Sequence, residues 1–194
     1  MECFFAFAKA QLTNPPRYLK GIYQLAPYLC WDSFILDLKT VKMSIAIKEV
    51  SKVSLACINV KGLGNIAHAY DKLVAWAAPK GLLDRPNVKM VTVYHDSFKD
   101  TAANQVRISV GILLNHPIEL DNEVKLLELE PHRCIVASME LEYEGFAKAW
   151  SNLYSWKNRN GYQISGNDPF EIHHNNYRDH PQKKCMVDLY IPIL

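Results

Sequence analysis

The sequence has no apolar run long enough to cross a membrane, since a helical span needs about 20 consecutive apolar residues. It also has no glycine-rich phosphate loop, no dinucleotide-binding fingerprint and no Gly-x-Ser-x-Gly nucleophile motif. These absences remove the usual signals for a membrane protein, a nucleotide-binding enzyme and a serine hydrolase. We therefore expect no membrane association and no cofactor.

Metal-binding patterns are missing as well. The seven histidines include no His-x-His or His-x3-His pair, and the adjacent His173 and His174 would face opposite ways in a strand. The five cysteines form no Cys-x-x-Cys motif, and three of them lie in apolar runs. This predicts buried, reduced thiols in a cytoplasmic protein and no metal site.

Charge of one sign is not in excess, because the formal net charge is only +2. That is too little to attract nucleic acid or an acidic membrane by bulk electrostatics. The N-terminal apolar run lacks a basic leader, so a signal peptide is not expected. Residues 1–42 are too apolar for a disordered tail, and we expect this extension to pack on the main domain, on a second copy of the chain or on a protein partner.

What the sequence does contain is an internal duplication. Residues 147–161 carry the pattern Ala-x-Ala-Trp-x2-Leu-x2-Trp-x4-Gly, and residues 67–81 repeat it 80 positions earlier with Tyr in place of the first Trp. Val187–Ile193 resembles Val106–Ile112 at a spacing of 81. Such a repeat predicts two similar halves with one shared core, and their seam is the natural binding place. We place the domain at 43–194, with repeats at about 50–115 and 125–194.

Each repeat predicts the order β-α-β-β. The first helix begins after Asn65, a candidate cap, and ends at Pro79 and Gly81; Pro131 interrupts the strand material of the second repeat. The predicted strands lie at 53–61, 87–95, 106–114, 125–141, 170–174 and 186–193. Hairpin neighbours are antiparallel. The predicted fold class is therefore α+β, with one mostly antiparallel, curved sheet and two main helices on one face.

Glu171 is the candidate binding residue, since it lies between Phe170 and Ile172 in a short apolar strand. Its position in the first repeat is Val91 or Thr92, depending on the register. A carboxylate held among aromatic rings is an efficient site for an organic cation. Alternation along the strand gives the opposite interpretation, in which Glu171 points to water, and by itself it favours that interpretation.

Aromatic side chains could supply the walls of such a site. Phe146, Trp150 and Tyr154 share one helical face, and this spacing by itself favours core packing over a ligand cage. Trp76 and Trp156 lie off the apolar stripe, which favours a rim or an interface. The candidate aromatic residues are Tyr70, Trp76, Tyr94, Trp150, Tyr154, Trp156 and Tyr190.

The doubled unit resembles the gyrase-inhibitor-like (GyrI-like) domain, which also forms the effector-binding part of AraC-type transcription regulators. The similarity lies in 170–176 (Phe-Glu-Ile-His-His-Asn-Asn) and in 187–193 (Val-Asp-Leu-Tyr-Ile-Pro-Ile), and it covers about 43–194. The family often has proline after the Asn turn, where this chain has Tyr177. The resemblance implies a lipophilic, often cationic ligand between the halves and gives Glu171 the role of counter-ion. It thereby reverses the preference for a solvated Glu171.

The resemblance leaves three hypotheses. The first is a stand-alone effector-binding module for an amphipathic, cationic organic molecule. The second is a small-molecule hydrolase in which a buried carboxylate acts as base, although the sequence shows no nucleophile or acid partner. The third is a protein-interaction module that uses residues 1–42. Phe7, Pro15 and Tyr18 resemble the tail of an AraC-type helix-turn-helix, but the segment is too short for two such motifs, so direct DNA binding is not expected.

Overall fold

The structure is a computed structural model, and it describes residues 43–84, 88–176 and 179–194, except for the side chain of Tyr143. The hypotheses for the N-terminal extension, as an interface or as a remnant of a helix-turn-helix, fall on residues 1–42, outside the described residues. The departure at Tyr177 also lies outside them. The described ranges together cover the predicted domain, 43–194, apart from residues 85–87 and 177–178.

Within these ranges the chain forms eight strands and two α-helices. In chain order they are β1 (Met43–Val50), β2 (Val53–Lys61), α1 (Ile66–Ala77), β3 (Met90–Tyr94), β4 (Arg107–Leu113), β5 (Lys125–Leu129), β6 (His132–Leu141), α2 (Phe146–Arg159), β7 (Phe170–His173) and β8 (Cys185–Pro192). The predicted break at Pro131 separates β5 from β6. The fold class is α+β, as predicted.

Helix α1 follows the predicted apolar spacing, and its buried residues lie on one face. The helix ends in the 3-10 turn Ala78–Lys80, after which Gly81 adopts a left-handed conformation with φ of 63°. The proposed cap at Asn65 is wrong. The Asn65 backbone is already helical, and its side-chain Nδ2 donates instead to the carbonyl of Lys61 at 2.7 Å.

The strands form one antiparallel sheet in the order β1-β6-β8-β7-β3-β4-β2-β5. The first repeat is larger than predicted, because β1 precedes β2 and was not anticipated as a strand. In the second repeat, β5 takes the corresponding place within the predicted bounds. These first strands are exchanged between the repeats: β1 pairs with β6, and β5 pairs with β2. The sheet thereby joins the two halves at its edges as well as at the central pair, β3 and β7.

The sheet is strongly curved, which its connections require. β1 and β2 stand first and seventh in the order, about 29 Å apart in a flat sheet. Only Ser51 and Lys52 join them, which allows about 11 Å between the flanking Cα atoms. The register of β1 on β6 also continues without a shift into that of β2 on β5. The ends of the sheet therefore meet at this corner, and its inner face packs on itself.

Apolar side chains fill both faces of the sheet. On the outer face, α1 covers the core of the first repeat and α2 covers that of the second. The inner face is lined by Leu55, Cys57, Val91, Val93, Leu129, Phe170 and Ile172. Cys57, Cys134 and Cys185 are buried, as predicted. Assignment to the cytoplasm stays a prediction. Neither described helix is long and apolar enough to span a bilayer.

Candidate functional site

Glu171 is buried, with only 3% of its surface exposed. Its Oε2 accepts a hydrogen bond from Trp150 Nε1 at 3.2 Å, and its Oε1 lies 3.2 Å from His173 Nε2. Alternation along the strand is therefore misleading here. All four residues of β7 are buried, because β7 is a central strand whose two faces are both covered.

A pseudo-two-fold axis passes between β3 and β7. Adding 79 to the residue numbers of a strand pair in the first repeat gives the matching pair in the second repeat. The pair Leu55–Leu113 of β2 and β4, for example, corresponds to the pair Cys134–Pro192 of β6 and β8. The offset of 81 predicted for the last strand is therefore corrected to 79. The same offset equates Thr92 with Glu171, and these two residues are direct partners in the β3–β7 ladder. Glu171 thus lies on the axis itself.

Each helix places one hydrogen-bonding aromatic side chain over this strand pair. Tyr70 on α1 bonds through its hydroxyl to Thr92 Oγ1 at 2.7 Å. Trp150 on α2 occupies the corresponding helical position, 80 residues later, and donates to Glu171. The two repeats therefore place a hydrogen-bonding aromatic residue over each half of the central strand pair. Trp150 also packs against the cores of both repeats.

A connected row of aromatic rings leads from Glu171 to the surface. Trp150 packs edge-on against Tyr94 with ring centroids 5.9 Å apart, and its ring lies 6.0 Å from that of Tyr154. Tyr94 in turn contacts Phe98 at 5.0 Å. Tyr154 and Phe98 are 36% and 46% exposed, respectively. Partial burial raises the pKa of Tyr154 above its ordinary value of 10.0, so its phenol is neutral at physiological pH.

Three other candidates lie elsewhere. Tyr190 is on the inner face, where it stacks on Phe170 with centroids 4.4 Å apart, so the sheet separates it from the Glu171 carboxylate. Trp76 packs on the core of the first repeat beneath Lys80, and Trp156 stacks on Tyr162 in the second. The structure therefore places Trp150 on Glu171, links Tyr94 and Tyr154 to it through the Trp150 ring, and places Tyr70 on the facing Thr92. It leaves the other three candidates out.

Sequence reasoning missed two residues of this centre and left a third undecided. Phe98 was overlooked because it sits in a polar hairpin loop. His173 was considered only as a metal ligand, although its spacing of two residues from Glu171 in a strand predicts a shared face. Thr92 was one of two alternatives for the position equivalent to Glu171, and only the register of β3 on β7 selected it.

A polar link on the inner face also crosses between the repeats. His95 is hydrogen-bonded through Nδ1 to Asp168 Oδ2 and through Nε2 to Ser109 Oγ, both at 2.6 Å. Ser109 is 1% exposed, and its hydroxyl donates to Asn59 Oδ1 at 2.8 Å. We interpret the cluster as a structural connection, because a buried serine already bonded to an amide is poorly placed to attack a substrate.

The arrangement around Glu171 is suited to binding. A buried carboxylate keeps its charge only if donors or a cation compensate for its lost hydration. Here two nitrogen atoms contact its oxygens, and aromatic faces extend from it towards solvent. Among the residues that the structure describes, no group of three or more His, Cys, Asp or Glu side chains is placed to hold a metal ion.

Residues 43–194 match the family described as the GyrI-like small molecule binding domain, and the chain belongs to that family. No curated protein matches the chain.

Several solved structures share the fold at low sequence identity. The C-terminal domain of EcmrR has a TM-score of 0.60 at 16% identity, over 79% of this chain and 98% of that one. An integron cassette protein from Vibrio cholerae has a TM-score of 0.54 at 14% identity, over 79% of this chain and 99% of its own. SAV2435, solved bound to tetraphenylphosphonium, has a TM-score of 0.52 at 10% identity, over 78% of this chain and 94% of that one.

Proposed function

We propose that this domain binds an amphipathic organic cation at the seam between its two repeats, with Glu171 as the counter-ion. The observation that carries the proposal is the burial of Glu171 on the pseudo-two-fold axis, beneath Trp150 and beside the aromatic row. A cation gains Coulomb energy there that a neutral molecule does not, because water screens the interaction poorly at a buried site. The family to which the chain belongs is one of small-molecule-binding domains, which supports a ligand-binding role.

The aromatic residues set the expected shape of the ligand. Tyr94, Phe98, Trp150 and Tyr154 offer ring faces and edges from the carboxylate to the surface. Such rings attract a cation by about 0.5–2 kcal/mol each, and they also bury apolar surface. We therefore expect a ligand with a delocalised or shielded positive charge and bulky apolar groups. The structure of SAV2435 with tetraphenylphosphonium supports this choice of probe.

Two ions of nearly the same shape and opposite charge provide the test. We expect wild-type protein to bind tetraphenylphosphonium more tightly than tetraphenylborate in titration calorimetry. Glu171→Gln keeps the shape of the side chain and removes its charge, so the affinity for the phosphonium should fall by about 30-fold or more, equivalent to about 2 kcal/mol. The affinity for the borate should rise or stay unchanged.

The matched control is Glu142→Gln, which makes the same change at an exposed carboxylate before the turn that leads into α2. It should leave the affinities for both ions unchanged. Equal losses for both ions in Glu171→Gln, with native circular dichroism, would refute the counter-ion role. Failure of wild-type protein to bind the phosphonium would overturn the choice of a cationic ligand.

Hydrolysis is the second candidate, and one observation favours it. His173 would supply the acid partner in this hypothesis, since it lies 3.2 Å from Glu171 and both side chains are buried. A carboxylate–imidazole pair can move a proton to or from an attacking water. Turnover of a panel of esters and strained rings, lost in Glu171→Gln, would favour this activity, whereas unchanged turnover would exclude Glu171 as the base.

A further inference from the structure

His173 occupies the position next to Glu171 on the same face of β7. The two side chains are 9% and 4% exposed, and His173 Nε2 lies 3.2 Å from Glu171 Oε1. A protonated imidazole at this distance would neutralise the buried carboxylate when no ligand is bound. The geometry therefore puts an imidazole, which is a cation when protonated, at the place where the proposed ligand would put its own charge.

Three described residues that flank His173 on the neighbouring elements carry no charge. Its register partners are Met90 on β3 and Val187 on β8, and the ring of Phe146 on α2 lies 5.7 Å from the imidazole. All three are uncharged, and Glu171 is the charged group that faces His173 from its own strand. The adjacent His174 points to the opposite face, where its Nε2 lies 2.9 Å from Asp188 Oδ2.

We propose that cation binding at Glu171 is coupled to the loss of a proton from His173. The inference rests on the proposed function and adds its regulation by pH. A bound cation and a protonated His173 would lie at the same carboxylate with little water between them, so they repel each other. The proton leaves to bulk solvent as the ligand enters. Affinity for a cation therefore rises with pH, and a pH gradient would load or unload the site.

Thermodynamic linkage sets the expected size of the effect. While His173 is protonated in the free protein, each cation bound releases about one proton, and the dissociation constant falls by up to about tenfold per pH unit. Above the pH at which an imidazole loses its charge, the dissociation constant becomes independent of pH. A ligand with a fixed charge is needed to see this, and tetraphenylphosphonium has no proton to exchange.

The experiment is calorimetric titration of the full chain with tetraphenylphosphonium at about pH 5.5 and about pH 8, below and above the midpoint at which a free imidazole changes charge, about 6.5. We expect tighter binding at the higher pH for wild-type protein. We also expect the binding heat at the lower pH to depend on the ionisation enthalpy of the buffer, which measures the protons released.

His173→Gln retains a hydrogen-bond donor for Glu171 but cannot titrate, so it should remove both effects. His174→Gln is the matched control and should preserve them.

The outcomes separate the two proposals. Binding that depends on Glu171 but releases no proton from wild-type protein would overturn the coupling and leave the counter-ion role standing. A pH dependence that persists in His173→Gln would also overturn the coupling. If wild-type protein binds no phosphonium at either pH, the proposed function fails and the coupling fails with it. The buffer measurement needs no variant, so a poorly folded His173→Gln would not prevent a decision.

Discussion

Thr92 and Glu171 are the same position in the two repeats, and they face each other directly across the β3–β7 ladder. The duplication therefore provides one central location with two possible carriers of charge. Carboxylates at both positions would lie side by side in a buried environment and repel each other. The difference between the repeats leaves a single carboxyl group on the axis, with Tyr70 above one partner and Trp150 above the other.

Moving the carboxylate across the axis tests this relationship. Glu171→Thr should abolish the preference for tetraphenylphosphonium over tetraphenylborate. Adding Thr92→Glu should restore at least part of that preference, since the new carboxylate lies beneath the Tyr70 hydroxyl, which can donate to it. The measurement is the ratio of the two dissociation constants in each variant.

Two results would count against this symmetry. A double variant that folds but shows no more charge preference than Glu171→Thr would mean that position 92 does not reach the ligand. A single Thr92→Glu variant that binds the cation with the same affinity as wild type would also mean that position 92 does not reach the ligand. The single variant should otherwise be less stable, because it buries two facing carboxylates.

Gly111 is expected to be intolerant of any side chain. Its β4 position faces inward, and a Cβ there would lie 3.1 Å from both the Ala56 carbonyl oxygen and the Cys57 Cβ. These atoms belong to the paired strand β2 and cannot turn away as the end of a long side chain could. Gly111→Ala should lower the free energy of unfolding by about 1–3 kcal/mol, measured by urea denaturation.

Gly145→Ala is the matched control. Its Cβ would meet Leu141 at 3.5 Å, an ordinary contact, and its φ of −76° suits any residue. This variant should change the free energy of unfolding by less than Gly111→Ala does. Equal losses in the two variants would show that close packing at β2 is not the cause.

Asp188 should make stability depend on acid pH. Burial by itself would raise its pKa, but hydrogen bonds from His174 and Ser138 and the charges of His174 and Lys48 outweigh burial and lower the pKa below its ordinary value of 3.8. A carboxyl whose pKa is lower in the folded state stabilises the fold above the unfolded value, and this contribution is lost as the pH falls through the folded value.

We therefore expect the difference in unfolding free energy between wild type and Asp188→Asn to be larger near pH 6 and to shrink below pH 3.8. Urea denaturation across this range measures it. A difference that stays constant with pH would mean that the effect of the substitution is steric and that the charge of Asp188 contributes nothing.

Much of the fold could be predicted from the sequence because local patterns are strong in this chain. The apolar spacing of α1, the break at Pro131 and the alternation in β4 each act through neighbours within a few positions. β1 was missed because its edge pairing with β6 comes from the other repeat, about 90 residues away in the chain. The spacing of 80 residues between the two helices could be counted in the sequence. The spacing of 79 residues between the strands could be found only from the register of the strand pairs.

The amino-acid sequence alone determined the α+β class, the duplication and the choice of Glu171 as the residue to examine, because these depend on residue type and spacing. Only the tertiary structure decided that Glu171 is buried, that Thr92 faces it, that Tyr190 lies on the other side of the sheet and that His173 and Phe98 join the site. The physical reason is that the partners and the burial of a side chain in a central strand depend on strands and helices far away in the chain. Alternation along a single strand contains no information about those elements.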